Sequence, residues 1–219
     1  MKKVYSMPPL DHVTRDSAGG IAQVVLNIAP FLPEFGWEIT PNIDDSDIVA
    51  VHATDQIKAD VLHCHGLYPT GEPSYDGSRV PQEINRRVIE AARQTPFLTV
   101  PSEWVADIFR RDMHIAPTVT NWAVNLEEWE HDGSHDNYVL WNKNRTEGVC
   151  TPKWINMLAE KEPNTQFVST FGNDGMKNLR LIGKVSHDLM CDIVKRAAVY
   201  LATTKETGDI GSREALAAG

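Results

Sequence analysis

Cysteine is scarce in this sequence, and what there is lies scattered. Cys64, Cys150 and Cys191 are three in 219 residues, an odd number without any C-x-x-C spacing. That argues against a disulfide framework and against a zinc site of the paired-cysteine kind. Long apolar runs are missing as well, and none approaches the roughly 20 residues that a membrane-spanning helix needs. Lys2 and Lys3 bring positive charge to the start, but no apolar run follows them, so the start is not read as a signal peptide. The expected location is cytoplasmic, with peripheral contact to a membrane surface left open. Positive charge is in deficit: 21 Lys and Arg stand against 30 Asp and Glu, a formal net charge of -9. Gripping a nucleic-acid backbone takes clustered cations that displace counterions, so no nucleic-acid partner is expected. The short basic pairs Arg86–Arg87 and Arg110–Arg111 read as solvated helix faces.

What is present is an alternation of short apolar strands with helical periodicity, the pattern of an α/β protein with parallel sheets. Lys3 to Ser6 reads as a strand closed by Pro8 and Pro9. Gly19-Gly20 precedes a helical run from Ile21 to Leu32. Trp37–Ile39, Ile48–Val51, Val61–Cys64, Phe97–Val100 and Thr118–Asn121 read as strands. Residues 82–94 read as a helix, and Ser102 as the N-cap of another. The polar, turn-forming stretch at 130–137 reads as a linker between a first domain, 1–129, and a second, 138–219. The second repeats the alternation: strands at Tyr138–Trp141, Gln166–Thr170, Leu179–Ile182 and Ala198–Ala202, helices at 152–160, 186–196 and 210–218. Open parallel sheets bind ligands beyond the carboxyl ends of their strands, so a ligand cleft between two such halves is expected.

Three constellations carry chemistry. The first is Glu206-Thr207-Gly208-Asp209-Ile210-Gly211-Ser212-Arg213-Glu214, directly after an apolar strand. One carboxylate sits in a glycine-containing loop and the other on the helix that the loop opens. N–H groups at a helix start attract phosphate, glycines allow close approach, and a helix carboxylate accepts hydrogen bonds from ribose. A solvated helix start is the plain alternative. The second is Asp60-Val61-Leu62-His63-Cys64-His65-Gly66, where strand alternation puts His63 and His65 on one face. Two imidazoles on one face also suit a divalent-metal hydrolase, with His52 and Asp55 as further ligands. The third is Trp141-Asn142-Lys143-Asn144-Arg145, whose two cations suit a diphosphate by point charge and by fork geometry. Of the tryptophans, Trp104 and Trp154 read as core, while Trp122 and Trp141 fall where rings stack on ligands.

Taken in order, these stretches resemble the retaining GT-B glycosyltransferases, family 4 in particular. The carboxylate pair resembles that family's E-x7-E motif, and Leu181 to Ser186 its "strand, Gly, x, Val, Ser" stretch. Thr99 to Ala106 resembles its "strand, Pro, Ser, x, Trp, Val" element, Val119 to Asn125 its segment before the linker, and Ser17 to Ile21 its N-terminal Gly-Gly loop. The resemblance implies two Rossmann-like domains with parallel sheets and a sugar transferred from a nucleoside-diphosphate-sugar to a hydroxyl acceptor. The transfer would retain anomeric configuration, with no bound metal and no cofactor beyond the donor. By the same match Glu206 and His65 are catalytic, and Gly19, Gly20, Lys143, Arg145, Gly208 and Glu214 bind the donor. The chain departs from the family at Ala123 and Asn125, which replace a Gly and an Asp, at Asp209, which replaces a Gly, and at Glu147, near the expected Lys. The family's fold continues past the point matching Gly219, so the second domain is expected to be incomplete, with association to another copy one way to cover it. A nucleotide-binding homologue without turnover, and the metal-dependent hydrolase using His63 and His65, stay open as alternatives. The acceptor, whether glycan, lipid or small molecule, is not specified by these residues.

Overall fold

The computed structural model describes residues 1–17, 19–53, 57–67, 79–143, 146, 150–203, 208 and 210–219, with the backbone alone at 79–81. They form two compact units, Met1–Ala123 and Val124–Gly219.

The first unit runs β1 (Lys2–Met7), α1 (Gly20–Ile28), β2 (Trp37–Ile39), β3 (Ile48–His52), β4 (Val61–His63), α2 (Arg79–Gln94), β5 (Phe97–Val100), α3 (Glu103–Met113) and β6 (Thr118–Val119). Its six strands pair in the order β2-β1-β3-β4-β5-β6, every pair parallel. Alternation divides the sheet. Val51, Leu62, Cys64, Leu98 and Val100 point to one face and form a core with Val88 and Ala92 of α2 and Val105, Ala106 and Phe109 of α3. Residues one step along each strand, among them Ser6, His52, His63 and Thr99, point to the other face. Right-handed crossovers put α1 on that second face, because β1 to β2 runs opposite to the march from β4 to β6. In agreement, Asn27 of α1 donates from Nδ2 to the Ala123 carbonyl just past β6, at 3.2 Å. The helix expected from Ile21 to Leu32 is α-helical only to Ile28. Residues Ala29–Phe35 are a 3-10 helix, since Pro30 and Pro33 lack the N–H groups that the α pattern needs.

The second unit runs α4 (Leu126–Trp129), β7 (Asp136–Trp141), α5 (Lys153–Lys161), β8 (Gln166–Ser169), β9 (Leu179–Leu181), α6 (His187–Lys195), β10 (Ala197–Tyr200) and α7 (Ile210–Ala218). The parallel order is β10-β7-β8-β9. Both faces are covered, as an all-parallel sheet requires. Tyr138, Leu140 and Val168 join Trp129 of α4 and Cys191, Ile193 and Val194 of α6. Val139, Trp141, Phe167 and Leu179 join Ile155 and Ala159 of α5. The break between units falls after Ala123, ahead of the domain end read at 129, because Trp129 is buried in the second core. The stretch read as linker ends inside β7, which begins at Asp136. Ser186 caps α6, accepting from Leu189 N at 3.4 Å.

The surface arginine pairs are tied into exposed ion pairs: Arg86 and Arg87 with Glu83, Arg86 also with Glu90, Arg110 with Glu103 and Asp107, and Arg111 with Asp112. Among the described residues, no helix is long and apolar enough to cross a membrane.

Asn178 shows how a buried polar group holds a helix end. Its Nδ2 lies 3.0 Å from the carbonyls of Ala159 and Glu162 and 3.1 Å from that of Thr165, gathering acceptors that the end of α5 leaves without intrahelical donors. Asn178→Ala removes the side-chain donor from the buried Ala159 carbonyl and from two half-buried ones, and should cost the second unit about 2 kcal/mol. Urea unfolding followed by tryptophan fluorescence measures it; a loss below about 0.5 kcal/mol, the size expected of an ordinary surface substitution, would contradict the assignment.

Candidate functional site

Each sheet reverses its strand order once, at β1/β3 in the first unit and at β7/β10 in the second. At such a point the chain leaves two adjacent strands in opposite directions and opens a crevice at their carboxyl ends. The chemistry-bearing residues gather at these two edges.

In the first unit, register places His52, His63 and Thr99 side by side on β3, β4 and β5. The His52 and His63 rings stack at 4.6 Å between centroids, 28° apart. His52 Nδ1 lies 2.9 Å from Nε2 of His65, and His63 Nδ1 lies 2.6 Å from Thr99 Oγ1. His65, just past β4, rests its ring on Trp122 at 4.7 Å. The expected aromatic contact at Trp122 is therefore with an imidazole. Backbone strain accompanies the cluster: Ala53 takes φ 69 at the end of β3, its N–H donating to the His63 carbonyl at 2.9 Å. Ser6 Oγ, on the same face of β1, is the one buried side-chain polar atom without a partner among the described residues.

Burial lowers all three imidazoles. His52 falls to about 2, from burial first and then from repulsion by His63 and His65. His65 falls to about 4, from burial and then His63, and His63 is lowered by burial. At neutral pH the cluster is uncharged. The His52–His65 contact then joins one N–H to one lone pair and leaves His65 a fixed tautomer. An oriented neutral imidazole can donate to or accept from a hydroxyl without a charged group's desolvation penalty. His63 directs a ring nitrogen to Thr99 rather than toward the other two rings, and Asp55, named with them as a metal ligand, lies outside the described residues. Gly19 is the N-cap of α1 with φ 97, a conformation that a side chain resists, and Gly20 is the first residue of the helix.

In the second unit, the carboxyl ends of β7, β8 and β10 are laced together. Lys143 N donates to Thr170 Oγ1 at 2.9 Å, and the same hydroxyl donates to the Lys143 carbonyl at 2.8 Å. Trp141 Nε1 donates to Thr203 Oγ1 at 2.9 Å, tying β7 to the end of β10. Trp141 is fully buried in the core, so it is not the ligand platform that its position suggested. The opposite correction applies to Trp154, read as core: it is 45% exposed on α5, with Lys153 Nζ 5.2 Å from its ring centroid. Lys143 is itself only 8% exposed. α7 follows β10 in the chain, and its first turn holds Ile210, Gly211 and Ser212. Arg213 Nε donates back to the Gly208 carbonyl at 3.2 Å, closing the turn that enters the helix. Glu214 lies one turn in, half-buried. Arg145, Glu206 and Asp209 lie outside the described residues. Of the residues read from sequence, Lys143 lies just past β7, Gly208 just before α7 and Glu214 on it, while Gly19 and Gly20 open α1 and His65 lies just past β4. Sequence reading placed His52 beside His63 and His65 only as a further metal ligand and missed Thr99, although β-strand register with His63 was the available signal.

Folded-state imidazoles held below their ordinary value of 6.5 make stability depend on pH. The unfolded chain takes up protons as pH falls through 6.5 while the folded cluster does not, so the stabilisation is full above that pH and is lost below it. The loss should approach about 1.4 kcal/mol per pH unit for each of His52 and His65, continuing down to about pH 4, where His65 protonates in place. Urea midpoints of the first unit at pH 7.5, 6 and 5 should fall in this manner, and His52→Asn should flatten the slope by up to about one proton. A midpoint independent of pH in this range would show that the imidazoles are not held neutral.

No protein-family profile matches the sequence, and no curated protein does. Solved structures do match. The chain superposes on a sucrose-phosphate synthase from Thermosynechococcus elongatus with a TM-score of 0.71 and 11% identity, over 100% of this chain and 80% of the other. An apo structure of OtsA gives 0.52 and 11%, over 90% and 60%. An alpha,alpha-trehalose-phosphate synthase (UDP-forming) from Burkholderia vietnamiensis gives 0.51 and 10%, over 97% and 62%. The chain thus spans less than two thirds of the length of the last two. At such identities the likeness is one of fold, and the fold it shows is the GT-B class: α/β units built on parallel, Rossmann-like sheets.

Proposed function

We propose that this protein is a glycosyltransferase that moves a sugar from a nucleoside-diphosphate-sugar to a hydroxyl acceptor, with retention at the anomeric carbon. The observation behind the reading is the second unit's switch point, after which α7 follows β10 in the chain, with Gly211 in its first turn and Glu214 one turn further on. A helix start of this kind favours a diphosphate, and a carboxylate one turn in suits the two ribose hydroxyls. The GT-B fold supports the same conclusion, and two of the structures it matches are named as synthases of a sugar phosphate, one of them UDP-forming.

In the reaction the bond from the anomeric carbon to the phosphate oxygen breaks, and a bond to the acceptor oxygen forms on the same face. Negative charge collects on the departing diphosphate, whose freed oxygen takes up the acceptor's proton. Stabilising that charge is the main catalytic demand. On this reading the N–H groups of α7 meet it together with Lys143 and Arg145, without a metal at the phosphates. Lys143 suits the task because its main chain is pinned to Thr170, which fixes where its side chain starts. Gly208 lets the backbone come close, and Glu206 serves the sugar. In the first unit, Gly19 and Gly20 open α1 toward the sugar or its phosphate, and His65 acts on a sugar or acceptor hydroxyl as a neutral, oriented imidazole.

Thermal shift and calorimetry against UDP, GDP, ADP and their glucose conjugates test the reading. One base should stabilise the protein selectively. Glu214→Ala should weaken that binding by roughly ten- to a hundredfold, the worth of hydrogen bonds from ribose to a charged acceptor. If no nucleotide binds, or if Glu214→Ala binds as well as the parent, the donor assignment fails.

A further inference from the structure

Against the helix that carries Glu214, α4 and α6 bring a carboxylate, an imidazole and a thiol to one point. His187 Nε2 lies 2.7 Å from Glu128 Oε1, and Cys191 Sγ lies 3.3 Å from the same nitrogen. Among the described residues this is the one group of His, Cys, Asp and Glu whose ligand atoms converge, all within 4.8 Å of one another. We propose that Glu128, His187 and Cys191 bind a divalent cation of borderline softness, zinc above all, and that the ion clamps α4, the first element of the second unit, onto α6.

Proton counting motivates the assignment. Nε2 offers one hydrogen or one lone pair, directed along one line, yet both Glu128 and Cys191 approach that same atom. A proton bridges two centres; a cation bridges three. The spacing is close to what zinc needs. With Zn–N and Zn–O near 2.1 Å and Zn–S near 2.3 Å in tetrahedral geometry, N···S is about 3.6 Å and N···O about 3.4 Å. The Cys191 contact already falls within a few tenths of that value, and the Glu128 contact opens by about 0.7 Å, which one side-chain rotation supplies. His187 and Cys191 stand four apart on α6, the spacing that puts two ligands on one helix face. Glu128 comes from a separate element, so binding joins the two.

The ligand set selects the ion. A thiolate and an imidazole reject magnesium and calcium, which take oxygen, and favour zinc or its analogues. One thiolate and one carboxylate balance a 2+ charge, His187 adds a neutral donor, and water completes four-coordination. Binding expels one proton, that of the Cys191 thiol, to solvent. The pocket is sheltered: side-chain exposure is 12% for His187 and 24% for Glu128, Cys191 is buried, and Trp129 sets its ring edge-on to His187 at 6.2 Å. α7 packs on both α4 and α6, so the clamp also braces the helix that carries Glu214. No step of the proposed sugar transfer passes through the ion, and its existence does not depend on that activity.

The test uses the full chain, stripped with a chelator and titrated with zinc and with cobalt. One zinc per chain should bind far more tightly than magnesium and raise the melting temperature. Cobalt should give a thiolate charge-transfer band that Cys191→Ser abolishes and that a Cys64→Ala/Cys150→Ala double variant keeps. Independently of any variant, zinc should protect Cys191 from alkylation, as mapped by mass spectrometry. A cobalt band that survives Cys191→Ser, zinc binding no tighter than magnesium, or alkylation of Cys191 unaffected by zinc would each overturn the site.

Discussion

A parallel strand cannot be joined to its neighbour by a tight turn. The chain must cross back over the sheet before it can pair again, and a right-handed crossover leaves every strand pointing the same way. Both units obey this constraint without exception in their recorded pairs. One consequence is burial: each sheet needs helices on both faces, which is why β7 sends Tyr138 and Leu140 into one core and Val139 and Trp141 into another. The other consequence is chemical. All carboxyl ends share one edge, so His52, His63 and Thr99 meet although they are far apart in sequence, and Lys143 meets Thr170 for the same reason.

The two edges hold their polar groups in different ways. In the first unit, burial removes charge: three imidazoles stay neutral and orient one another by ring stacking and a shared hydrogen bond. In the second unit, hydrogen bonds fix the surroundings of cationic side chains, through Thr170 on the Lys143 main chain and through the Gly208 carbonyl on the Arg213 guanidinium. Under the proposed function, that contrast corresponds to a division in which one unit handles hydroxyls and the other a diphosphate. Hydroxyls need directed neutral donors and acceptors. A diphosphate needs cations and N–H groups that do not have to reorganise when charge develops.

Much of the fold was legible in the residues because strand and helix periods differ, and the apolar runs here are short and clean. Every strand from Lys2–Met7 to Ala197–Tyr200 falls on a run that reads as one. What failed was local competition. Pro30 and Pro33 turned the end of an apolar helix pattern into a 3-10 helix, and Leu126–Trp129 folded as one short turn of helix in a stretch too polar to show a period. Side-chain destinations were less legible than elements. Trp141 and Trp154 exchanged their expected environments, because position near a strand end does not say which face a ring takes. The candidate site was legible where residues are neighbours in sequence, as in His63 to His65 or Gly208 to Glu214. It was hidden where register or helix packing assembles it, as with Thr99 beside His63, or Glu128 with His187 and Cys191.

The central claim is that the start of α7, at the β7/β10 switch point, is a diphosphate cradle. Residue-resolved amide NMR on the full chain during titration with UDP, GDP and ADP addresses it most directly. The account predicts that the nucleotide that binds moves the N–H signals of Ile210, Gly211 and Ser212 first and furthest, with Lys143 following. Shifts confined to the first unit, or scattered over the surface without a maximum at the α7 start, would contradict it.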